Sequence, residues 1–258
     1  MNTTKAAETR NDWPPLRVAK RALRRVFDPL ERGAERLFTP ALNPVAQLGT
    51  ITFFLFWVVA VSGVYLFLFF DTGVVDAYSS LAWISGPHWY HAGIMRSLHR
   101  YASDLMVVTM VLHLLREFSL DRYRGTRWFS WFTGVPLIWF LYVSGITGYW
   151  LVWDELAQYV AVISAKLLDV FPVFGEPLAR NFLTPDHLSG RFFSLLVFLH
   201  IAIPLILLLA MWIHIQRISR PKTNPPRLLA GLILAALLAA ALWKPALSQG
   251  PADLTRVP

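Results

Sequence analysis

Two stretches of equal length, each with a histidine near its start and another at its end, decide the fold: LHRYASDLMVVTMVLH at 98–113 and LHIAIPLILLLAMWIH at 199–214. In each stretch the two histidines are 14 residues apart. An α-helix turns about 100° per residue, so 14 residues return a side chain to within about 40° of the same face, about 21 Å along the axis. The spacing therefore predicts two helices, each with a pair of histidines on one face at two levels.

The composition indicates a membrane protein, because 55% of the 258 residues are hydrophobic and only 16% are charged. A helix needs about 20 apolar residues to cross the hydrocarbon. Five segments are candidates: 37–70, 94–118, 128–153, 192–216 and the shorter 228–243. We therefore predict an all-α integral membrane protein, a four-helix transmembrane bundle with a fifth transmembrane helix.

The cations are unevenly distributed, and this predicts an orientation. Nine Lys and Arg residues precede Asn43, whereas the connection 71–93 has none. Cytoplasmic loops carry the excess of Lys and Arg, so we expect the N-terminus in the cytoplasm and the C-terminus outside, in a bacterial inner membrane. This topology explains the net charge of +8 without a nucleic-acid partner.

The chain divides into three predicted regions: a basic arm at 1–36, the four-helix domain at 37–222, and the extra helix with an outer tail at 223–258. In the arm, residues 14–38 have the spacing of an amphipathic surface helix attracted to anionic lipid. A solvated basic tail is the alternative. The connection 154–190 contains one predicted surface helix, from Glu155 to Val170, and Pro172, Gly175 and Pro177 are expected to end it.

The four histidines His99, His113, His200 and His214 are candidate metal ligands. Two helices that run the same way bring one imidazole from each helix together at both levels, which suits two six-coordinate bis-histidine haems. A helix–helix hydrogen bond would explain one such histidine, but two spans with the same spacing favour ligands. The chain has no cysteine, which excludes thiolate ligands and covalently attached haem. His88, His91 and His187 fall in connections and are given no metal role.

Four glycines repeat the period of the histidines. Gly49 and Gly63 are 14 residues apart in the first span, as are Gly134 and Gly148 in the third. Because the first and third spans run opposite to the second and fourth, Gly49 and Gly134 fall at the level of His113 and His214. Gly63 and Gly148 fall at the level of His99 and His200. A glycine allows a flat macrocycle to approach the backbone closely.

Arg96 and Arg100 flank His99, where the propionates of a haem would point, and a guanidinium matches a carboxylate well. The alternative for Arg100 is an interfacial anchor paired with Asp104, four residues later. A proton-transfer role for Asp104 is the lesser alternative.

Three motifs carry a resemblance to a known family: RSLHR at 96–100, GITGYWLVWD at 145–154 and RFF at 191–193. From about residue 30 to 222 the chain resembles the N-terminal half of cytochrome b from quinol–cytochrome c and plastoquinol–plastocyanin oxidoreductases. The resemblance implies non-covalent haem b, with an outer haem on His99 and His200 and an inner haem on His113 and His214. The family's C-terminal half, with its Pro-Glu-Trp-Tyr segment, has no counterpart here, and Val152 stands where a proline is usual.

These observations predict an electron-transfer subunit of a quinone/quinol oxidoreductase rather than a complete enzyme, and they identify no catalytic residue. The expected partners are a c-type cytochrome, a Rieske or other iron–sulfur protein, or a split C-terminal cytochrome b subunit, and the resemblance implies a homodimer. One alternative is an anchor that links a dehydrogenase to the quinone pool. Another is a non-redox transporter or scaffold whose histidines carry protons or bind another metal.

Overall fold

The computed structural model describes residues 13–170, 178–182, 188–253 and 255. Its described part is helical, and its only β-pairing is the single bridge between Asp154 and Pro251. Eight α-helices lie within these ranges: α1 Pro14–Leu37, α2 Leu48–Phe67, α3 Asp76–Ser85, α4 Ile94–Ser119, α5 Trp128–Trp150, α6 Glu155–Asp169, α7 Gly190–Ile215 and α8 Arg227–Trp243. Short 3-10 turns occur at Pro40–Leu42, Gly125–Arg127 and Leu178–Phe182, and a π-helical turn at Trp89–Gly93.

Three helices of the described chain are long and apolar enough to cross a membrane: α2, α7, and α5 with the 3-10 turn before it. The histidine-bearing α4 has 26 residues but carries several charges, and α8 is apolar but only 17 residues long. The fourth and fifth spans therefore stay predictions. The all-helical fold with long apolar helices is confirmed.

The bundle is built from two tightly packed helix pairs. Helix α2 packs along α4, and α5 packs along α7, whereas α4 and α5 touch only briefly. Helix α8 packs on the outside of α4. The two histidine-bearing helices therefore belong to different pairs, so residues that face across the bundle meet between the pairs.

The connections contain more structure than the sequence predicted. The connection 71–93 forms α3 and the π-helical turn, because Ala77, Leu81 and Ile84 are buried there. Helix α6 ends within one residue of its predicted end, and Asp154 caps its start by accepting a hydrogen bond from the Ala157 N–H (2.8 Å). Pro172, Gly175, Pro177 and His187 lie outside the described residues.

The segment 244–253 folds back over the His99 end of the bundle. The hydroxyl of Ser97 accepts a hydrogen bond from the Ala246 N–H (3.0 Å), and the Asp154 carboxylate accepts one from the Gln249 N–H (3.0 Å). The side chain of Gln158 exchanges two hydrogen bonds with the backbone of Asp253. This segment, predicted only as a tail, thus ties α4 to α6.

Candidate functional site

At the first level, His99 and His200 face each other across the two helix pairs. Their ring centres are 6.2 Å apart and the ring planes cross at 71°. The Nδ1–H of His99 donates to the Val59 carbonyl oxygen (3.0 Å), and the Nδ1–H of His200 donates to the Ser144 carbonyl oxygen (2.9 Å). A carbonyl only accepts, so Nδ1 carries the proton in each ring. The Nε2 lone pair is therefore available for a metal ion.

At the second level, His113 of α4 and His214 of α7 are neighbours. The hydroxyl of Thr133 lies 3.3 Å from the Nδ1 atom of His214. Within the described residues, the ring of His113 forms no hydrogen bond. The structure therefore brings the four predicted histidines together as two pairs, one pair at each level.

Each histidine ring lies against the backbone of one of the four predicted glycines. A Cβ atom added at Gly49 would lie 3.0 Å from the Cε1 atom of His113, and one at Gly63 would lie 3.0 Å from that of His99. An added Cβ would lie 2.9 Å from the Cε1 atom of His214 at Gly134, and 2.3 Å from the Cε1 atom of His200 at Gly148. By contrast, a Cβ at Gly145, in the same helix as Gly148, would have nothing within 4 Å.

The hydrogen bonds of the histidines follow a rule that sequence reasoning missed. Val59 precedes Gly63 by four residues, and Ser144 precedes Gly148 by four. A helical carbonyl points towards the residue four positions later, so a glycine at that position leaves the carbonyl open to a ring from the side. Ser130 stands in the same relation to Gly134. The 14-residue glycine period could have predicted these acceptors, since each lies one helical turn before its glycine.

A packed apolar layer lies midway between the two levels. Each of the four helices carries two histidines or two glycines that are 14 residues apart. Midway between them, seven residues from each, stands a large hydrophobic side chain that is at least 95% buried. The four residues are Phe56, Met106, Leu141 and Leu207. They belong to one core cluster drawn from α2, α4, α5 and α7. Water and ions are therefore excluded between the two histidine levels.

The two predicted arginines have protein partners at the His99 end. Arg96 is buried and donates hydrogen bonds to the hydroxyls of Ser85 and Ser248, the latter at 2.7 Å. Arg100 donates to the Asp104 carboxylate (3.0 Å), as the sequence suggested, and its guanidinium lies 5.1 Å from the Tyr149 ring centre. A propionate-binding role for Arg96 and Arg100 stays a prediction.

A second buried arginine, which the sequence analysis did not single out, lies at the other end of α4. Arg116 follows His113 by three residues and forms ion pairs with Glu31 of α1 and with Glu117 (3.2 Å). Its Nε atom is buried and has no hydrogen-bond partner among the described residues. The sequence could have indicated Arg116 as a site residue, because it follows the candidate ligand His113 by three residues and so lies on nearly the same helical face.

The donor set fits haem better than a bare metal ion. Among the described residues, no cluster of three or more His, Asp or Glu side chains could hold a metal. Two imidazoles do not complete a zinc site, whereas haem iron requires only two axial ligands from the protein. Two imidazoles on opposite sides of one metal ion, with bonds of about 2 Å, have ring centres about 6 Å apart. The separation at the His99 level matches this distance.

Histidines are paired between apolar helices, and each ring lies against the backbone of a glycine. This arrangement is the one expected of a membrane-embedded haem protein. The family model described as Cytochrome b/b6/petB matches residues 34–221, more than half of the chain. The chain belongs to the cytochrome b family. It is an integral membrane protein that binds haem b and transfers electrons, so the resemblance noted in the sequence is confirmed.

Among solved structures, the chain is similar to one titled "Hyperthermophilic respiratory Complex III", with a TM-score of 0.68 and 18% sequence identity. The match covers 83% of this chain and 65% of that chain, so this protein spans less than two thirds of its length. At 18% identity, this similarity supports the fold of the chain and nothing further.

Proposed function

We propose that the chain carries electrons across the membrane between two bis-histidine haems b, as a subunit of a quinone/quinol oxidoreductase. One haem would be held by His99 and His200, and the other by His113 and His214. The observation that carries the proposal is the repeated unit of two facing histidines, each on a glycine, found at both levels. One such site alone would fit a cytochrome with a single haem. Two sites, one at each level of the bundle, suit a path for electrons across the membrane.

The protein's part in this function is to position the ligands. The carbonyl groups of Val59 and Ser144 hold the Nδ1 protons of His99 and His200, which fixes the tautomer and the ring orientation. A ligand that is already oriented loses little freedom when the metal binds. When bound, the haem iron supplies the one-electron chemistry.

The apolar layer supports electron transfer along the bundle, because it keeps the electrons from reacting with groups in water at the centre of the bundle. Phe56, Met106, Leu141 and Leu207 form a buried apolar layer midway between the levels. The polar ends of the bundle are then the places where electrons enter and leave. Near the His99 end lie Arg96 and Asp154, and near the His113 end lie Arg116 and Glu117.

The partners are proposed from the family and from a similar fold. The solved structure that shares this fold is titled as a respiratory Complex III. We therefore propose membrane-embedded redox partners, among them a c-type cytochrome, an iron–sulfur protein or a split C-terminal cytochrome b subunit, and exchange with quinone at one end at least. The proposed location is a bacterial inner membrane, and the cation distribution supports an N-terminus in the cytoplasm.

The test is a dithionite-reduced minus oxidised spectrum of the purified chain, with pyridine haemochrome quantitation. We expect two haems b per chain. His200→Ala and His113→Ala should each reduce this number to one or none, because each removes one of two axial ligands at one level. His88→Ala is the matched control, since His88 lies outside the bundle and stacks on Trp83 (ring centres 3.6 Å apart).

A folded chain with a single haem, lost in His200→Ala and retained in His113→Ala, would contradict the two-haem proposal. A folded chain without haem would contradict the family assignment itself. Circular dichroism and size exclusion of each variant separate loss of haem from loss of fold.

A further inference from the structure

The N-terminal helix α1 has three distinct faces, and one of them is attached to the bundle. Lys20 forms an ion pair with Asp121, and Arg24 donates to the same carboxylate (3.1 Å) and to the Ser119 carbonyl oxygen (2.7 Å). Phe27 is buried, and Glu31 pairs with Arg116. These contacts recur every three or four residues, so a single row of α1 binds the end of α4 that carries His113.

A second row is apolar and exposed. Val18, Val26 and Leu30 are 65%, 55% and 54% exposed, and the exposed Ala22 completes the four-residue spacing. Exposed apolar side chains in a continuous row indicate a surface that is covered by something other than water. At the start of the helix, Trp13 is 74% exposed, as is typical of a side chain at a membrane–water boundary.

A third row, directly beside the apolar one, is basic and exposed. Arg21, Arg25 and Arg32 lie on it. With Arg24, Asp28 and Pro29 they line an open groove of about 400 Å³. The groove thus holds four guanidinium groups and one carboxylate. Guanidinium groups bind phosphate through paired hydrogen bonds.

We propose that this groove binds the phosphate of an anionic phospholipid, while the apolar row lies among the acyl chains of the same leaflet. The two rows share an edge, and a lipid surface is the partner that presents an anion and hydrocarbon side by side. An acidic protein would match the arginines but would leave Val18, Val26 and Leu30 exposed. The inference requires only that the chain is embedded in a membrane, so it stands whether or not both histidine levels hold haem.

The attachment of α1 to the bundle gives the site a fixed place. Asp121 and Arg116 belong to the end of α4 that carries His113, so the groove is held beside that end rather than on a free arm. A docked helix has already lost its freedom, which favours one defined lipid over a diffuse cloud of counterions.

The experiment titrates the haem-loaded, full-length chain with phosphatidylglycerol and counts bound lipids by native mass spectrometry. The test variant is Arg21→Gln/Arg25→Gln/Arg32→Gln. The matched control, Arg220→Gln/Lys222→Gln/Arg227→Gln, removes three exposed cations from the α7–α8 connection and the first residue of α8, on the same predicted side. We expect the first lipid to bind about 100-fold more weakly to the test variant, from the usual contribution of three surface cations. The control should bind it like the wild type.

Three results would overturn the proposal. The test variant could bind phosphatidylglycerol like the wild type, or the control could lose as much affinity as the test variant. Displacement of the lipid by excess inorganic phosphate would indicate a general anion site. If the test variant keeps the lipid but loses electron input from a soluble redox protein, the groove is a protein-docking surface instead. A second variant, Val26→Ser/Leu30→Ser, should weaken lipid binding without changing the charge.

Discussion

The two histidine levels follow one spacing rule but are not equally supported. At the His99 level, both rings donate to a helical carbonyl, and the hydroxyl of Ser62 lies 3.2 Å from the Nδ1 atom of His99. At the other level, the hydroxyl of Thr133 lies 3.3 Å from the Nδ1 atom of His214, but the ring of His113 has no hydrogen bond within the described residues. Equal spacing in the sequence therefore produces two sites with different rigidity.

The position of each glycine in its helix explains the difference. Gly63 and Gly148 lie near the ends of α2 and α5 but inside these helices, so the residue four positions earlier is helical and its carbonyl points along the axis. Gly49 is the second residue of α2, and the position four residues before it precedes the helix. The first turn of a helix cannot offer His113 the acceptor that later turns offer the other rings.

The largest effect should come from Gly148→Ala, because the added Cβ would lie 2.3 Å from the His200 ring. We expect loss of the haem at the His99 level, leaving about one haem per chain, and a destabilisation of about 1–3 kcal/mol from overpacking. Haemochrome quantitation measures the first effect and thermal unfolding the second. Gly145→Ala is the control in the same helix; if it loses as much haem as Gly148→Ala, the close approach of the ring is not the cause.

The apolar layer belongs to both levels, so its disruption should affect them together. Leu207→Ala should lower the free energy of unfolding by about 2–4 kcal/mol through the cavity it leaves. Both haems should then be lost over the same temperature range when absorbance is followed on heating. Leu209→Ala removes the same atoms from a side chain that is 57% exposed and should change little. Loss of one haem well before the other would refute a shared layer.

Arg116→Gln should weaken the His113 end selectively. The variant leaves the partly buried Glu31 without its ion pair, which should cost about 2 kcal/mol, less than for a fully buried pair. The haem at the His113 level should be released first on heating, with α1 detached from α4. Arg122→Gln breaks a more exposed pair with Glu117 and should cost less than about 1 kcal/mol. Equal losses in both variants would contradict the role given to Glu31.

The smallest effect should come from Ser62→Ala. His99 keeps its bond to the Val59 carbonyl, so the variant should alter the redox free energy of that level by less than about 1 kcal/mol. A redox titration should show a small shift of one haem and none of the other. A shift of both would mean that the hydroxyl acts through the whole bundle.

The helices and the two levels could be predicted because 14 residues make nearly four whole turns, which the sequence displays directly. The acceptors of the histidine rings were not predicted, because every residue carries a carbonyl, and the glycine period selects Val59 and Ser144 only once each ring is known to lie against its glycine. Arg96 and Ser248 meet although they are 152 residues apart, and no periodicity links them. Helix α3 was missed because its ten residues bury only one short apolar face.

The apolar layer also has an electrical consequence. It lies inside a low-dielectric slab about 30 Å thick, and the histidine levels are about 21 Å apart along the helices, so most of a membrane potential falls between them. One electron that moves from level to level would gain or lose roughly 1.5 kcal/mol per 100 mV of that potential. With both levels occupied, the voltage across the membrane would bias the distribution of electrons between two sites with the same ligands.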